Sequence, residues 1–252
     1  MKRIVIIGAS SGLGRRISED FARIGLRVGI AARREPQLKA IYERYPESVV
    51  YRTIDVTAPD AVERFYDLIE ANGGMDILLL ASGTGHINPQ LDVATDVTTV
   101  ETNAVGTVRI LDAAYRYFRD TANDNPGQIA VITSLAGTKG IGIAASYSAS
   151  KRFQSTYIDA LDQLAHQEHV NIRFTDIRPG FIRTPLLKEG RNYPLEMAIS
   201  YAAPLIEKAI LRRKRVAVID SRWRIVSGLW RMIPQCVWSR IALELKDSDN
   251  KS

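Results

Sequence analysis

A short apolar run, Ile4-Val5-Ile6-Ile7, leads directly into Gly8-Ala9-Ser10-Ser11-Gly12-Leu13-Gly14, and a helical pattern starts immediately behind it. No other feature narrows the possible folds as far. Ile17, Phe21 and Ile24 follow at i, i+4 and i+7, one stripe of an amphipathic helix. Strand, glycine turn and helix in that order open a βαβ unit. Glycines so placed permit a tight turn, close approach of backbone to a bound pyrophosphate, and close packing of helix on strand. The helix N-terminus adds free N–H groups and the positive end of its dipole. Glycine strings also make plain turns, but the flanking strand and helix supply the context that a dinucleotide loop requires. Gly8, Ser10, Ser11, Gly12, Leu13 and Gly14 are therefore candidate cofactor contacts.

The alternation continues along the chain. Apolar, β-branched runs recur at 3–8, 26–32, 49–55, 77–82, 128–134, 171–177 and 215–220, with helical spacing between most of them, as in Val62, Phe65, Leu68 and Ile69. The runs are near-continuous and do not alternate with polar residues, as expected of strands covered on both faces. The expected fold class is α/β: a single domain over residues 1–252, three layers, with a doubly wound, mainly parallel, seven-stranded sheet. Hydrophobic residues make up 46% and charged residues 25% of the chain, which excludes a disordered polymer. One cysteine, Cys236, excludes an intrachain disulfide, and no Cys/His cluster has metal-site spacing, so no metal is expected. No apolar run approaches the roughly 18 residues of a membrane span. Met1-Lys2-Arg3 and the apolar run behind it are too short for a secretion signal, and a cytoplasmic location is expected.

The net charge of +6 is concentrated at one end. Residues 207–246 carry ten Lys/Arg against three acids, so this stretch accounts for the whole excess. The basicity belongs to a tail and not to the fold, which argues against nucleic-acid binding. Within the tail, residues 221–246 interleave Trp223, Ile225, Leu229, Trp230, Met232 and Trp238 with arginines, and Pro234 should break any helix there. Three roles are open to it: a lid and dimer surface, which is favoured; peripheral contact with an anionic membrane face; or nucleic-acid binding, which no motif supports. Residues 183–205, with Pro185, Pro194 and Pro204, resemble an insertion that could cover a site.

Two further constellations bear on chemistry. The second strand ends Ala32-Arg33-Arg34 with no acid to bond a ribose 2′-hydroxyl, whereas guanidiniums hold phosphate in bidentate geometry. NADP is expected over NAD. Tyr147 and Lys151 are four residues apart, on one helical face. A cation there should lower the phenol pKa and make Tyr147 a proton donor or acceptor near neutrality. Such pairs also occur on solvated helices. Ser134, closing a predicted strand upstream, places them where doubly wound sheets bind ligands.

With these residues in view, the chain resembles the short-chain dehydrogenase/reductase family, in its branch of about 250 residues, from Arg3 to about Thr184. Gly8, Gly12 and Gly14 match the family's Gly-x-x-x-Gly-x-Gly loop. Asp55-Val56 matches its adenine-contacting pair, and Asn103, Ser134, Tyr147 and Lys151 its catalytic tetrad. Pro179, Ile182 and Thr184 lie in the segment that holds the nicotinamide carboxamide. The resemblance implies a Rossmann fold and hydride transfer between NADP(H) and a carbonyl or alcohol group of a small molecule. It implies that Tyr147 is the general acid/base, that Ser134 binds the substrate oxygen, that Lys151 holds the nicotinamide ribose and lowers the Tyr147 pKa, and that Asn103 supports a water-linked proton relay. Leu80-Ala81-Ser82-Gly83 departs from the family's Asn-Asn-Ala-Gly, although Gly83, which allows close cofactor approach, is retained. The family's glycine-rich C-terminal ending, through which its members often form tetramers, is absent, and a homodimer through the helices bearing Asn103 and Tyr147 is what the resemblance then implies, with dimer and tetramer both open. A non-catalytic NADP-binding or membrane-associated scaffold is the alternative.

Leu135, Ile141, Phe181, Leu186, Tyr193 and Met197 are candidate pocket residues, and their apolar character points to a hydrophobic substrate. His86 is close enough to join them, but the default for a loop histidine is solvent, as for His166 and His169. Cys236 is expected to be small, buried and apolar.

Overall fold

The computed structural model describes residues 2–121, 125–187 and 192–241. Among these, β1 (Arg3–Ile7), β2 (Arg27–Ala32), β3 (Val49–Thr53), β4 (Ile77–Leu80), β5 (Gly127–Ile132), β6 (Ile172–Arg178) and β7 (Val216–Val218) form one sheet in the order β3-β2-β1-β4-β5-β6-β7. Each strand overlaps one of the seven apolar runs. Every neighbouring pair is parallel, so the sheet is wholly rather than mainly parallel. Side chains alternate across it and both faces are covered. Ile4 and Ile6 join a core built with α1 (Gly12–Arg23), α2 (Glu35–Arg44) and α7 (Ile199–Leu211). Val5 and Ile7 join a second core built with α3 (Ala61–Ala71), α5 (Gly106–Asp120) and α6 (Ala145–Gln167). That two-sided burial is why the runs contain no polar alternation.

The chain winds outward from β1 to β3 and then returns to place β4 on the other side of β1. At that reversal the loops leaving β1 and β4 diverge and open a crevice at the strand C-termini. Two glycines set its floor. Gly8, at φ +96°, lies so close to the turn after β4 that a Cβ there would sit 2.4 Å from the Ser82 nitrogen. A Cβ on Gly14 would sit 2.3 Å from the Gly8 carbonyl oxygen. Gly14→Ala must therefore push α1 off the end of β1. We expect it to cost about 1–3 kcal/mol, the usual penalty for overpacking, and to lower the melting temperature by several degrees in a thermal unfolding scan.

Helix α4 (Val93–Val100) runs into α5 through one π-helical turn, Glu101–Val105. Such turns release backbone groups from the helical ladder, and this one carries Asn103. The segment 183–205 is not one insertion. Its end is helical, because α7 begins at Ile199 and carries Pro204 in its interior. Its other described residues, 183–187 and 192–198, lie over the crevice and are tied to the loop after β6, where Arg183 and Met197 backbones bond at 2.9 Å and Met197 and Phe181 at 3.0 Å. Residues 188–191 of this segment, and 242–246 of the tail, lie outside the described residues. Pro234 does break the tail helix, separating α8 (Ser221–Met232) from α9 (Gln235–Trp238). Cys236 is exposed, not buried, because α9 is a single turn held by Trp238. Among the described residues no helix is long and apolar enough to cross a membrane.

Candidate active site

The N-terminus of α1 points into the crevice, and no side chain caps it. Its first N–H groups lack the usual partner, which leaves them for an anion. Arg34 lies across the same loop. Its Nη2 donates to Ser10 Oγ at 2.9 Å and Ser11 Oγ at 2.8 Å, and its Nε to Ser10 Oγ at 3.2 Å. Arg33 lines the same opening without such ties. The site walls continue through Asp55 and Val56. The Asp55 carboxylate is turned back on its own chain by Thr57, whose N–H and hydroxyl donate at 3.0 and 2.8 Å. A Cβ on Gly12 would meet the Thr184 methyl at 3.4 Å, so the segment after β6 closes over the glycine loop. An uncapped helix end, glycines that admit a backbone-close ligand and a guanidinium above them fit a dinucleotide.

The crevice widens into a cavity of about 1000 Å³. Ser134, Tyr147 and Lys151 all line it, as do Gly83, Pro179 and Ile182. Ser134 caps the helical turn after β5, its Oγ accepting from the Ala136 N–H at 3.1 Å. The Tyr147 ring lies beneath Gly85, where a Cβ would come within 2.6 Å of it. Asn103 does not reach the cavity. It is fully buried beneath the loop after β4, where its Oδ1 accepts from the Thr84 N–H at 2.9 Å and its Nδ2 donates to the Thr84 carbonyl at 2.7 Å. A Cβ on Gly83 would lie 3.3 Å from both Asn103 Oδ1 and Lys151 Nζ, so any larger residue there would press on both side chains by a few tenths of an ångström.

The Tyr–Lys electrostatics differ from the expectation. Burial pushes the Tyr147 phenol up from its usual value, and a hydrogen bond with Ser134 only partly opposes it. The shared helical face fixes direction but not distance: Lys151 Nζ lies 5.9 Å from the ring centroid and is bonded elsewhere. It donates to the Ile132 carbonyl at 3.0 Å and to Gln154 Oε1 at 2.9 Å. Burial lowers the Lys151 pKa to about 8, and the charge of Asp176 opposes that fall. Asp176, fully buried on β6, is in turn held by Thr133 and Arg178.

Gln154 was not anticipated. It is fully buried and joins three elements of the site. Its Oε1 receives Lys151, while its Nε2 donates to the Asn103 carbonyl at 3.0 Å and to Thr107 Oγ1 at 2.9 Å. The only hint in the chain was a polar residue three positions beyond Lys151, on the same helical face. The resemblance implies a water-linked relay between Lys151 and Asn103, and the Gln154 amide touches both of its ends.

Of the expected pocket residues, Leu135, Ile141, Phe181, Leu186 and Tyr193 line the cavity. Met197 does not. It is buried in the core, because its backbone pairs with the loop after β6. His86 also lines the opening, at an exposed position 3.3 Å from Thr99 Oγ1. Trp223 and Trp230 of α8 complete the wall. They continue a chain of ring contacts from Tyr193 through Phe181, and Trp238 Nε1 anchors its far end to the Gly140 carbonyl at 2.7 Å.

A profile described as short chain dehydrogenase matches residues 2–193. An "uncharacterized oxidoreductase" of Myxococcus xanthus is 29% identical over 250 residues, covering 96% of each chain. A "farnesol dehydrogenase" of Aedes aegypti is 30% identical over 202 residues, 75% of this chain and 80% of its own. Among solved structures, an actinorhodin polyketide ketoreductase with NADPH superposes with a TM-score of 0.64 at 27% identity, covering 73% of this chain and 72% of that one. A bulky-bulky ketone specific alcohol dehydrogenase from Comamonas testosteroni superposes over 97% of this chain and 98% of its own, with a TM-score of 0.73 at 21% identity, and speaks for the fold alone.

Proposed function

This chain belongs to the short-chain dehydrogenase/reductase family of oxidoreductases, and on that premise we propose that it is an NADP(H)-dependent reductase of carbonyl groups on hydrophobic small molecules, with Tyr147 as general acid. The observation that carries this is the convergence of Ser134, Tyr147 and Lys151 on one largely apolar cavity that opens from the glycine loop. NADPH, when bound, supplies the hydride. The Tyr147 hydroxyl gives its proton to the substrate oxygen, and the Ser134 hydroxyl donates a hydrogen bond to the same oxygen. A phenol whose pKa burial raises stays protonated at neutral pH and can give a proton to the substrate oxygen. Lys151, fixed by Gln154 and the Ile132 carbonyl, presents its remaining N–H to the nicotinamide ribose. Asn103 acts as a positioning residue, bracing the loop that bears Gly83 and Thr84. Leu135, Ile141, Phe181 and Tyr193 exclude water around the reacting carbon. Turnover of NADPH with a panel of ketones, aldehydes and quinones tests this; binding of NADP with no turnover of any of them would favour the scaffold alternative.

Cofactor choice falls to Arg34 more than to Arg33, since Arg34 is the one held over Ser10 and Ser11. We expect Arg34→Ala to weaken NADP by on the order of tenfold, the worth of one charge-assisted phosphate contact, while NAD affinity changes little. Arg33→Ala should have the smaller effect of the two. Titration of both nucleotides into each variant measures this, and an unchanged NADP/NAD ratio in both would remove the phosphate assignment.

A homodimer is part of the same proposal. Val93, Val97, Val100 and Val105 are exposed along α4 and the π-helical turn. Phe153, on the outer side of α6, is exposed as well. A second copy would cover them.

A further inference from the structure

Helix α8 has two faces. Trp223, Ser227 and Trp230 turn inward, and the two indoles wall the cavity. The opposite side exposes Ile225 at 68%, Leu229 at 60% and Met232 at 79%. These three fall at i, i+4 and i+7, one continuous apolar stripe. Val237 and Ile241 extend the exposed apolar surface past Pro234. Soluble surfaces usually leave such residues singly. Basic residues flank the stripe. Arg224 and Arg231, seven positions apart, border it on one side, and Arg222 borders it on the other. Residues 221–241 contain four arginines and no acid. Only Arg222 has a carboxylate partner among the described residues, Asp220.

We propose that the outward face of α8 docks on an anionic lipid surface, with Ile225, Leu229 and Met232 in the acyl boundary and Arg224 and Arg231 on the headgroups. An apolar stripe bordered by unneutralised arginines is the pattern of a helix lying in a membrane interface. The tryptophans of this helix and the next do not lead the contact: Trp223 and Trp238 are buried, and Trp230 walls the cavity. A second copy of the chain fits less well. A two-fold contact through this stripe would set the same arginines against one another with no acid to relieve them. The same short helix then bounds the cavity on one side and lipid on the other.

The test uses the full chain and does not depend on activity, so it stands or falls apart from the reductase proposal. Flotation is compared on vesicles of phosphatidylcholine alone and of equimolar phosphatidylcholine and phosphatidylserine. The expected result is recovery with the anionic vesicles on the order of tenfold above the neutral ones, falling as salt is raised. Arg224→Gln with Arg231→Gln should abolish the difference between vesicles. Ile225→Ser with Leu229→Ser and Met232→Ser should lower recovery with both kinds. All five side chains are exposed, and unchanged circular dichroism would confirm that the variants fold. Equal recovery of the wild-type chain in solution with both vesicles would overturn the proposal. So would a triple serine variant that floats unchanged but turns a dimer into a monomer in sedimentation equilibrium, because the stripe would then belong to a second copy.

Discussion

Tyr147→Phe should lower turnover by on the order of a thousandfold while leaving NADP affinity within about twofold to threefold of wild type. The substitution removes one oxygen and keeps the ring that Gly85 covers, so the cavity wall stays in place. What disappears is the proton delivered to the substrate oxygen. Because burial raises the Tyr147 pKa, the reductive rate of the wild type should not fall on the alkaline side of neutrality through loss of that proton. Steady-state reduction of any accepted carbonyl compound, alongside a nucleotide titration, measures both quantities. A rate that survives the change as well as binding does would mean that another group is the acid.

Gln154 is the second site of large expected effect. In Gln154→Leu, Lys151 loses one of its two protein acceptors, and the Asn103 carbonyl and Thr107 lose their shared donor. Each of these groups keeps another partner, since the Thr107 hydroxyl also donates to the Asn103 carbonyl and Lys151 still donates to the Ile132 carbonyl. Lost buried hydrogen bonds cost about 0.5–1.5 kcal/mol each, so a fall in melting temperature is expected. Stability alone would not separate a merely structural role from control of Lys151, but pH does. The wild-type Lys151 ammonium, with a pKa of about 8, loses its proton as pH rises through that value, and interactions that need its charge weaken above it. Gln154→Leu removes a hydrogen bond to the charged form and should move that limb to lower pH. Gln154→Glu places a carboxylate beside the ammonium and should move it to higher pH. Profiles of NADP affinity and kcat/KM for both variants would show opposite displacements. Displacement in the same direction, or in neither, would make Gln154 a packing residue only.

These two sites also mark how far the chain's order of residues can be read. The strands stood out because they are apolar runs, the inner ones mostly covered on both faces and the edge strands β3 and β7 partly exposed, and the break at Pro234 followed from a missing N–H. The glycine loop was recognisable because Gly8 and Gly14 meet backbone, not side chains that could move aside. What sequence spacing did not convey is solvation and distance. Tyr147 and Lys151 do share a helical face, yet that spacing is silent on where the ammonium's hydrogen bonds go: it lies over the Tyr147 ring at 5.9 Å but donates to the Ile132 carbonyl and Gln154. Asn103 and Gln154 are 51 positions apart and meet only because the π-helical turn opens toward α6. Met197 and Pro204 misled for the opposite reason. Prolines among polar neighbours suggested a loop, and tertiary packing against α1 turned its end into helix α7. Cys236 was placed by its residue type, which cannot report that α9 is one turn long.

The most direct test of hydride transfer at this crevice is a structure of the complex with NADP+ and an accepted carbonyl compound. The pyrophosphate is expected on Gly8–Gly14, the extra phosphate at Arg34, and the nicotinamide between Ile182 and Tyr147, with the substrate oxygen within hydrogen-bond reach of both Tyr147 and Ser134. A nucleotide bound elsewhere, or a Tyr147 hydroxyl turned away from the substrate oxygen, would contradict it.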